Sequence, residues 1–335
     1  MAAVTTIAVD AMSGDRGCEP VVRAAEVAVS NNRALRVVLL GRRTALEAFL
    51  SAGHERIEIH DAPDVVTMED RPSHALRYRQ QSSMAQALSL VRSGDADACV
   101  SAGNTGALMA LGRSTLETWP GIERPAIIKR IPFHDEHCCY VLDLGANVDT
   151  SSEHLVQFAL IGRLMAQAVD GIWNPRVALL NVGQEAVKGN EQVRLAGHML
   201  QVREESGYIG YIEGSDLFRG VADVVVCDGF VGNVALKTGE GVAELIGDLI
   251  RRTFRYGWYS RLVALLAAPV LRRIKRRLDP ARHNGASFIG LRGVVIKSHG
   301  NADVTGLVAA IEQAARETEH ELPRRLGELL EQVEF

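Results

Sequence analysis

Short apolar runs, partly β-branched, alternate along the chain with longer stretches that are apolar at helical spacing. Residues 7–10, 35–41, 57–60 and 98–100 read as strands. Between them, residues 20–30, 44–50 and 82–92 read as helices, the last with Ser82 as its N-cap. The alternation continues through apolar runs at 126–131, 139–144, 176–181, 222–226 and 294–296, and residues 304–333 form a helical tail broken at Pro323. Strands separated by helices predict an α/β fold whose mainly parallel sheet is covered on both faces.

One phrase occurs twice. Residues 96–107 and 222–233 match in spacing, each with an apolar strand followed by G-x-x-G: Gly103 to Gly106, and Gly229 to Gly232. Strand, glycine corner and helix start together aim free backbone N–H groups at an anion. A single such corner is an ordinary βα turn. Its repetition, with Asn104 and Asp228 beside the glycines, predicts two corners converging on one crevice at the strands' carboxyl ends. Other polar loops follow strands in the same way: Asp10 leading to Gly14, Asp143 to Asp149, residues 182–190 around Lys188, and Lys297 to Gly300.

The 335 residues suffice for one large α/β domain or two smaller ones. With 47% apolar residues, 23% charged residues and a formal net charge of −4, nothing pulls the whole chain toward nucleic acid, so any basic function is local. The five cysteines, an odd number without C-x-x-C, predict a reduced, cytosolic chain. No signal segment opens the sequence, and no apolar run approaches the ~20 residues that span a bilayer. Residues 133–138 contain His and Cys, but consecutively, as in an exposed hairpin loop rather than a metal framework. Arg71, Arg77 and Arg79 mark either a solvated basic surface or an anion or acidic-partner site.

Residues 249–278 depart from the rest, with nine Arg or Lys, no acidic residue, and interleaved aromatic and aliphatic side chains. Gly257 and Pro269 divide the stretch into short helical pieces. Such a composition suits an interfacial helix pair on anionic lipid, with Trp258, Leu262, Leu265 and Leu266 as the contact. A dimer helix and a nucleic-acid patch are the alternatives, the latter leaving the leucines unused.

Jointly, several motifs resemble those of the PlsX family of phosphate acyltransferases, from Ile7 to about Gln313. They are Asp10-Ala11-Met12 with Gly14-Asp15, SAGNTGAL from Ser101, DLGANVD from Asp143, Val187-Lys188-Gly189-Asn190, CDGFVGNVALKT from Cys227, Asn284-Gly285-Ala286, and Lys297-Ser298-His299-Gly300. The chain departs from the family pattern at Ser13, usually glycine, at Cys18, commonly proline, and at Gln184, the first of a usual Glu-Glu pair that leaves Glu185 alone. The resemblance implies a three-layer α/β/α sandwich with a Rossmann-like sheet, related to phosphate acetyltransferases. It also implies one domain over 1–335, with a protruding amphipathic helical tip inserted at 248–282. The implied reaction converts acyl-[acyl carrier protein] and inorganic phosphate to acyl-phosphate, an early step of bacterial phospholipid synthesis, without cofactor or metal. The implied setting is a cytoplasmic homodimer, peripheral on the inner face of the membrane, whose product feeds a glycerol-3-phosphate acyltransferase.

For that reaction phosphate is itself the nucleophile. The protein must hold it beside the carbonyl and stabilise the oxyanion. Lys188 is the candidate cation. Asn233 is a candidate amide donor or an N-cap, and His299 a candidate acid or base or a structural loop histidine. Ser101, Gly103, Asn104, Thr105 and Gly106 would cradle phosphate with Gly14. Asp10, Asp143 and Asp228 would orient Lys188 or bind the pantetheine arm, or one of them would handle the thiol proton, and Asn147, Gly229 and Gly232 join the substrate- or phosphate-binding set. Ping-pong acylation of Cys99 or Cys227 is disfavoured, since no cation accompanies either in sequence. A nicotinamide-dependent dehydrogenase of related fold lacks G-x-G-x-x-G. A non-catalytic lipid scaffold leaves the polar strand-end loops unexplained.

Overall fold

The fold is known from a computed structural model that describes residues 4–134, 137–203 and 206–331. The first part of the chain runs β1 (Thr5–Asp10), α1 (Glu19–Asn31), β2 (Leu35–Gly41), α2 (Arg43–Glu47), β3 (Ile57–Asp61), α3 (Pro72–Tyr78), α4 (Ser83–Ser93), β4 (Ala98–Ser101) and α5 (Thr105–Leu116). A hairpin of β5 (Ala126–His134) and β6 (His137–Leu142) follows, then α6 (Ser152–Asp170), β7 (Val177–Leu180), α7 (Glu191–Gln201), β8 (Tyr208–Ile212) and β9 (Val224–Val226). The last part holds α8 (Gly229–Arg255), α9 (Gly257–Leu266), α10 (Ala268–Leu278), β10 (Ala286–Ile289), β11 (Val294–Lys297), α11 (Val304–Glu319) and α12 (Leu322–Leu330).

The described strands form one eleven-stranded sheet in the order β3-β2-β1-β4-β11-β10-β5-β6-β9-β7-β8. Buried apolar side chains fill both of its faces. On one face, α1 and α11 cover the first block of strands, while α6, α7 and α12 cover the second. On the other face, α4 and α5 lie over the first block, and α8 approaches the centre. This is the three-layer arrangement. Ser82 caps α4, its Oγ accepting from Ala85 N at 3.3 Å.

The sheet is not parallel throughout. β3, β2, β1, β4 and β11 are mutually parallel, as are β6, β9, β7 and β8. Between the two blocks, β10 pairs antiparallel with both β11 and β5, and β5 pairs antiparallel with β6. Three successive reversals leave the blocks running in opposite directions. Their carboxyl ends therefore point to opposite edges, and the glycine corners do not line one edge as the repeat suggests. They approach one face of the antiparallel centre from opposite sides.

The two corners also differ in detail. Asn104 caps α5, whereas Asp228 caps α8 with its carboxylate 2.9 Å from Val231 N, so Gly229 and Gly232 lie inside the helix. Asn233 is therefore a helical residue and not an N-cap. The glycines of α8 permit close approach: a Cβ on Gly232 would stand 1.9 Å from the Asp143 carbonyl oxygen, and one on Gly229 2.5 Å from that of Asn147.

Gly232→Ala should therefore lift α8 off the sheet and cost about 3 kcal/mol. Urea denaturation measures this, and a loss below about 1 kcal/mol would show that the helix is not held by this contact.

Candidate active site

Buried carboxylates organise the loops around the centre of the sheet. Asp143 is fully buried. It accepts hydrogen bonds from the backbone N–H groups of Ile127 (2.9 Å), Gly145 (3.2 Å), Ala146 (3.0 Å) and Asn147 (2.6 Å), and from Asn147 Nδ2 (2.9 Å). Burial raises its pKa, and these donors oppose the rise. Asp10, also buried, accepts from Ser83 Oγ and Ser101 Oγ, each at 2.6 Å. Both aspartates are consumed in holding loops.

Much of the predicted cradle is used in the same way. Ser101 Oγ accepts from Gly103 N. Asn104 Oδ1 accepts from Ala107 N at 3.1 Å, while its Nδ2 donates to the Met68 and Asp70 carbonyls. Gly103 packs on Met84 and Ser13, and Gly14 lies near Ala102. The Ser13 hydroxyl is buried without a hydrogen-bond partner among the described residues. Asn147 Nδ2 also reaches the Pro125 carbonyl at 2.9 Å. Of these corner residues, Thr105 lines the central cleft.

That cleft, open to solvent, lies on the face of the antiparallel centre. Thr105 enters from the first block, and Gly145 and Asn233 enter from the second. Lys297 ends β11, Ser298 and His299 follow it, and Asn284 and Gly285 precede β10. Gly145 and Gly285 have φ of +121° and +103°, which requires glycine at these two bends.

The cleft is cationic. Glu240 on α8 receives Lys129 Nζ at 3.2 Å, Lys237 Nζ at 3.1 Å and His299 Nε2 at 3.2 Å. His299 Nδ1 lies 3.3 Å from Lys237 Nζ. An ammonium only donates, so Nδ1 accepts and Nε2 carries the proton to Glu240. Both ring nitrogens are thus engaged. Burial alone would raise the Glu240 pKa, but His299, Lys129 and Lys237 outweigh it and hold the carboxyl far below its ordinary range. Burial lowers the Lys129 pKa, with Glu240 opposing. Burial also pushes Lys297 down to about 8, and its Nζ donates to the Ser298 carbonyl.

Lys129, Lys237, Lys297 and Glu240 are additions to the residues singled out from sequence. Lys129 had a visible signal, a lysine inside an apolar strand. Lys237 stands one helical turn after Asn233, and Lys297 begins a strand-end motif. Lys188 is placed elsewhere: exposed on the loop after β7, with Nζ 2.9 Å from Glu185 Oε2, and not among the residues lining the cleft. The β7 carboxyl end does share an edge with those of β6 and β9, which lead to the Asp143 loop and α8. Burial raises the Cys99 and Cys227 thiol pKa values, with neighbouring aspartates adding to the effect, which disfavours a thiolate nucleophile.

The distal part of α8 with α9 and α10 forms the helical tip. Leu265 and Leu266 are 72% and 78% exposed. The side chains of Trp258 and Leu262 lie outside the described residues, as does part of the 133–138 loop. No helix among the described residues is long and apolar enough to cross a membrane.

The model of a family described as fatty acid synthesis protein matches residues 5–325. A phosphate acyltransferase of Marinobacter nauticus is 62% identical over 328 residues, 98% of this chain and 96% of that one. A phosphate acyltransferase of Pseudomonas putida is 51% identical over 331 residues, 98% of each chain. Among solved structures, a phosphotransacetylase from Streptococcus pyogenes matches with a TM-score of 0.61 at 16% identity over 94% of each chain. A branched-chain phosphotransacylase from Enterococcus faecalis matches with a TM-score of 0.62 at 12% identity, over 94% of this chain and 99% of that one. These structural likenesses establish the fold.

Glu240→Gln should leave Lys129 buried without its counter-charge and cost about 3 kcal/mol at neutral pH. Because the folded carboxyl pKa is depressed, this contribution is complete above the ordinary value of 4.5 and is lost as pH falls through the folded value. Denaturant melts of both proteins should therefore converge in acid. A gap that widened on acidification would contradict the assignment.

Proposed function

The chain belongs to the fatty acid synthesis protein family and is a phosphate acyltransferase, and we propose that it transfers the acyl group of acyl-[acyl carrier protein] directly to inorganic phosphate in the cationic cleft. The observation that carries this reading is the set of lysines gathered around one carboxylate beside Asn233 and the α5 N-terminus. With Glu240 already matched, the cleft retains positive charge for a dianion. A unit charge pair about 4 Å apart is worth on the order of 4 kcal/mol in such a partly wet site, enough to offset the approach of phosphate to Glu240.

In the proposed step a phosphate oxygen attacks the thioester carbonyl carbon. The C–S bond breaks, the proton of hydrogen phosphate passes to the departing sulfur, and acyl-phosphate and free carrier thiol result. Lys297 and Lys237 hold the phosphate beside Thr105. Asn233 donates to the carbonyl oxygen as it gains charge. His299, with both nitrogens committed, positions Lys237. Asp10, Asp143, Asp228 and Asn147, with Gly14, Ser101, Gly103, Asn104, Gly106, Gly229 and Gly232, support the corners. Lys188 is assigned to the mouth on the second block's edge. Its partner Glu185 is also exposed, so the pair yields to an incoming anion at little cost.

The dehydrogenase alternative is not favoured by the full-length relatives. The exposed leucines of the tip, set among basic residues, support peripheral attachment to an anionic membrane. A homodimer working there would release acyl-phosphate close to a glycerol-3-phosphate acyltransferase.

With acyl carrier protein thioester, phosphate and enzyme, hydroxylamine should trap an acyl hydroxamate, and its absence would overturn the reading. Lys297→Ala should lower kcat/KM for phosphate on the order of 100-fold. In the unmodified protein KM for phosphate should rise as pH climbs through about 8, where Lys297 loses its proton. Lys297→Arg should move that rise to higher pH, and an unmoved profile would remove Lys297 from the site.

Replacing Leu265 and Leu266 with Glu should release the protein from phosphatidylglycerol vesicles in flotation. Unchanged flotation would count against the tip as the contact.

A further inference from the structure

Beside the cationic cleft, and continuous with it, runs an apolar groove between α8 and the β5–β6 hairpin. We propose that this groove holds the hydrocarbon chain of the acyl donor, with the thioester at the cleft and the chain end toward Ala243. The proposal rests on the acyl-thioester reading of the adjoining cleft.

The groove exists because α8 turns small residues to the sheet. Gly232, Ala235, Gly239 and Ala243 recur at helical spacing along it and leave a gap that larger side chains would close. Its floor is apolar, with Ile131, Val141 and Leu144. Phe218, 51% exposed, closes one side: a Cβ on Gly239 would stand 3.3 Å from its ring. From Gly232 to Ala243 the groove follows about 16 Å of helix.

Position selects the occupant. Lys129, Leu144 and Leu236 line both the groove and the cationic cleft. A molecule occupying both must therefore carry a long apolar segment next to a carbonyl that phosphate can reach. The pantetheine arm does not suit the groove, because its two amides and hydroxyl would meet a mainly aliphatic wall whose polar members, Lys129, Arg130 and Glu240, are already in ion pairs. Lys129 and Glu240, polar groups at the groove wall, are satisfied by each other. The acyl chain has no such groups and gains about fourfold in affinity for each methylene it buries.

Two experiments test this. First, an acyl carrier protein thioester whose chain ends in a diazirine is photolysed with the unmodified protein. Labelling should fall on the peptides carrying Phe218 and Ala243. Labelling confined to α9 and α10 or to the first block would overturn the groove. Second, Ala243→Phe, a change at a half-exposed position, should lower the ratio of kcat/KM for hexadecanoyl over butyryl donors at least tenfold. An unchanged ratio would overturn the proposal. Crosslinking needs no turnover, so labelling at the predicted peptides without acyl-phosphate formation would fault the reaction, whereas acyl-phosphate formation with labelling elsewhere would fault the groove alone.

Discussion

The close seating of α8 on the Asp143 loop is the contact on which the site depends. Asp143 gathers four backbone N–H groups and one side-chain amide, which makes the bend after β6 a fixed object. Gly229 and Gly232 let the first turn of α8 lie against that bend without an intervening side chain. Once the turn is placed, helical geometry sets the rest. Asn233, Lys237 and Glu240 follow at intervals of four and three residues and present one face. Gly232, Ala235, Gly239 and Ala243 present the neighbouring face to the sheet. The polar cleft and the apolar groove are therefore two sides of one helix.

The electrostatics of the cleft are arranged unequally. Glu240 meets Lys129, Lys237 and His299, so its charge is more than matched. Lys129 is buried by the sheet and needs that carboxylate. Lys297 is buried too: its Nζ donates to a backbone carbonyl, and the charges of Asp15 and Asp10 only partly offset its desolvation. Desolvation that makes an unpaired ammonium costly also strengthens its hold on a dianion. The cysteines show the converse: burial beside aspartates keeps Cys99 and Cys227 as thiols.

Hydrophobic periodicity made most elements legible. β2 coincides with the apolar run at 35–41, and α1, α4 and β4 fall within a residue or two of their patterns. β8 and β10 were not singled out. β10, Ala286–Ile289, is short and sits beside a glycine bend, and its importance lies in pairing antiparallel with both neighbours, which local spacing does not encode. Together with the β5–β6 hairpin that pairing makes three reversals, so the rule that ligands gather at one carboxyl edge transferred incompletely. Asn233 and His299 were noticed in the polar stretches that follow strands, and the fold brings both to the cleft. Lys297 was passed over for the histidine beside it, and Glu240 looked like any helix-surface carboxylate until the fold brought two lysines and a histidine to it. Asp10, Asp143 and Asn104 were noticed as chemistry, and the structure engages each of them in shaping loops.

Helix α8 is unbroken from Gly229 to Arg255, about 40 Å of continuous backbone hydrogen bonding. Its first turn touches the cleft and its last turn carries the exposed tip. One uninterrupted element therefore carries both Asn233, at the cleft, and the turn from which α9 and α10, with Leu265 and Leu266, depart.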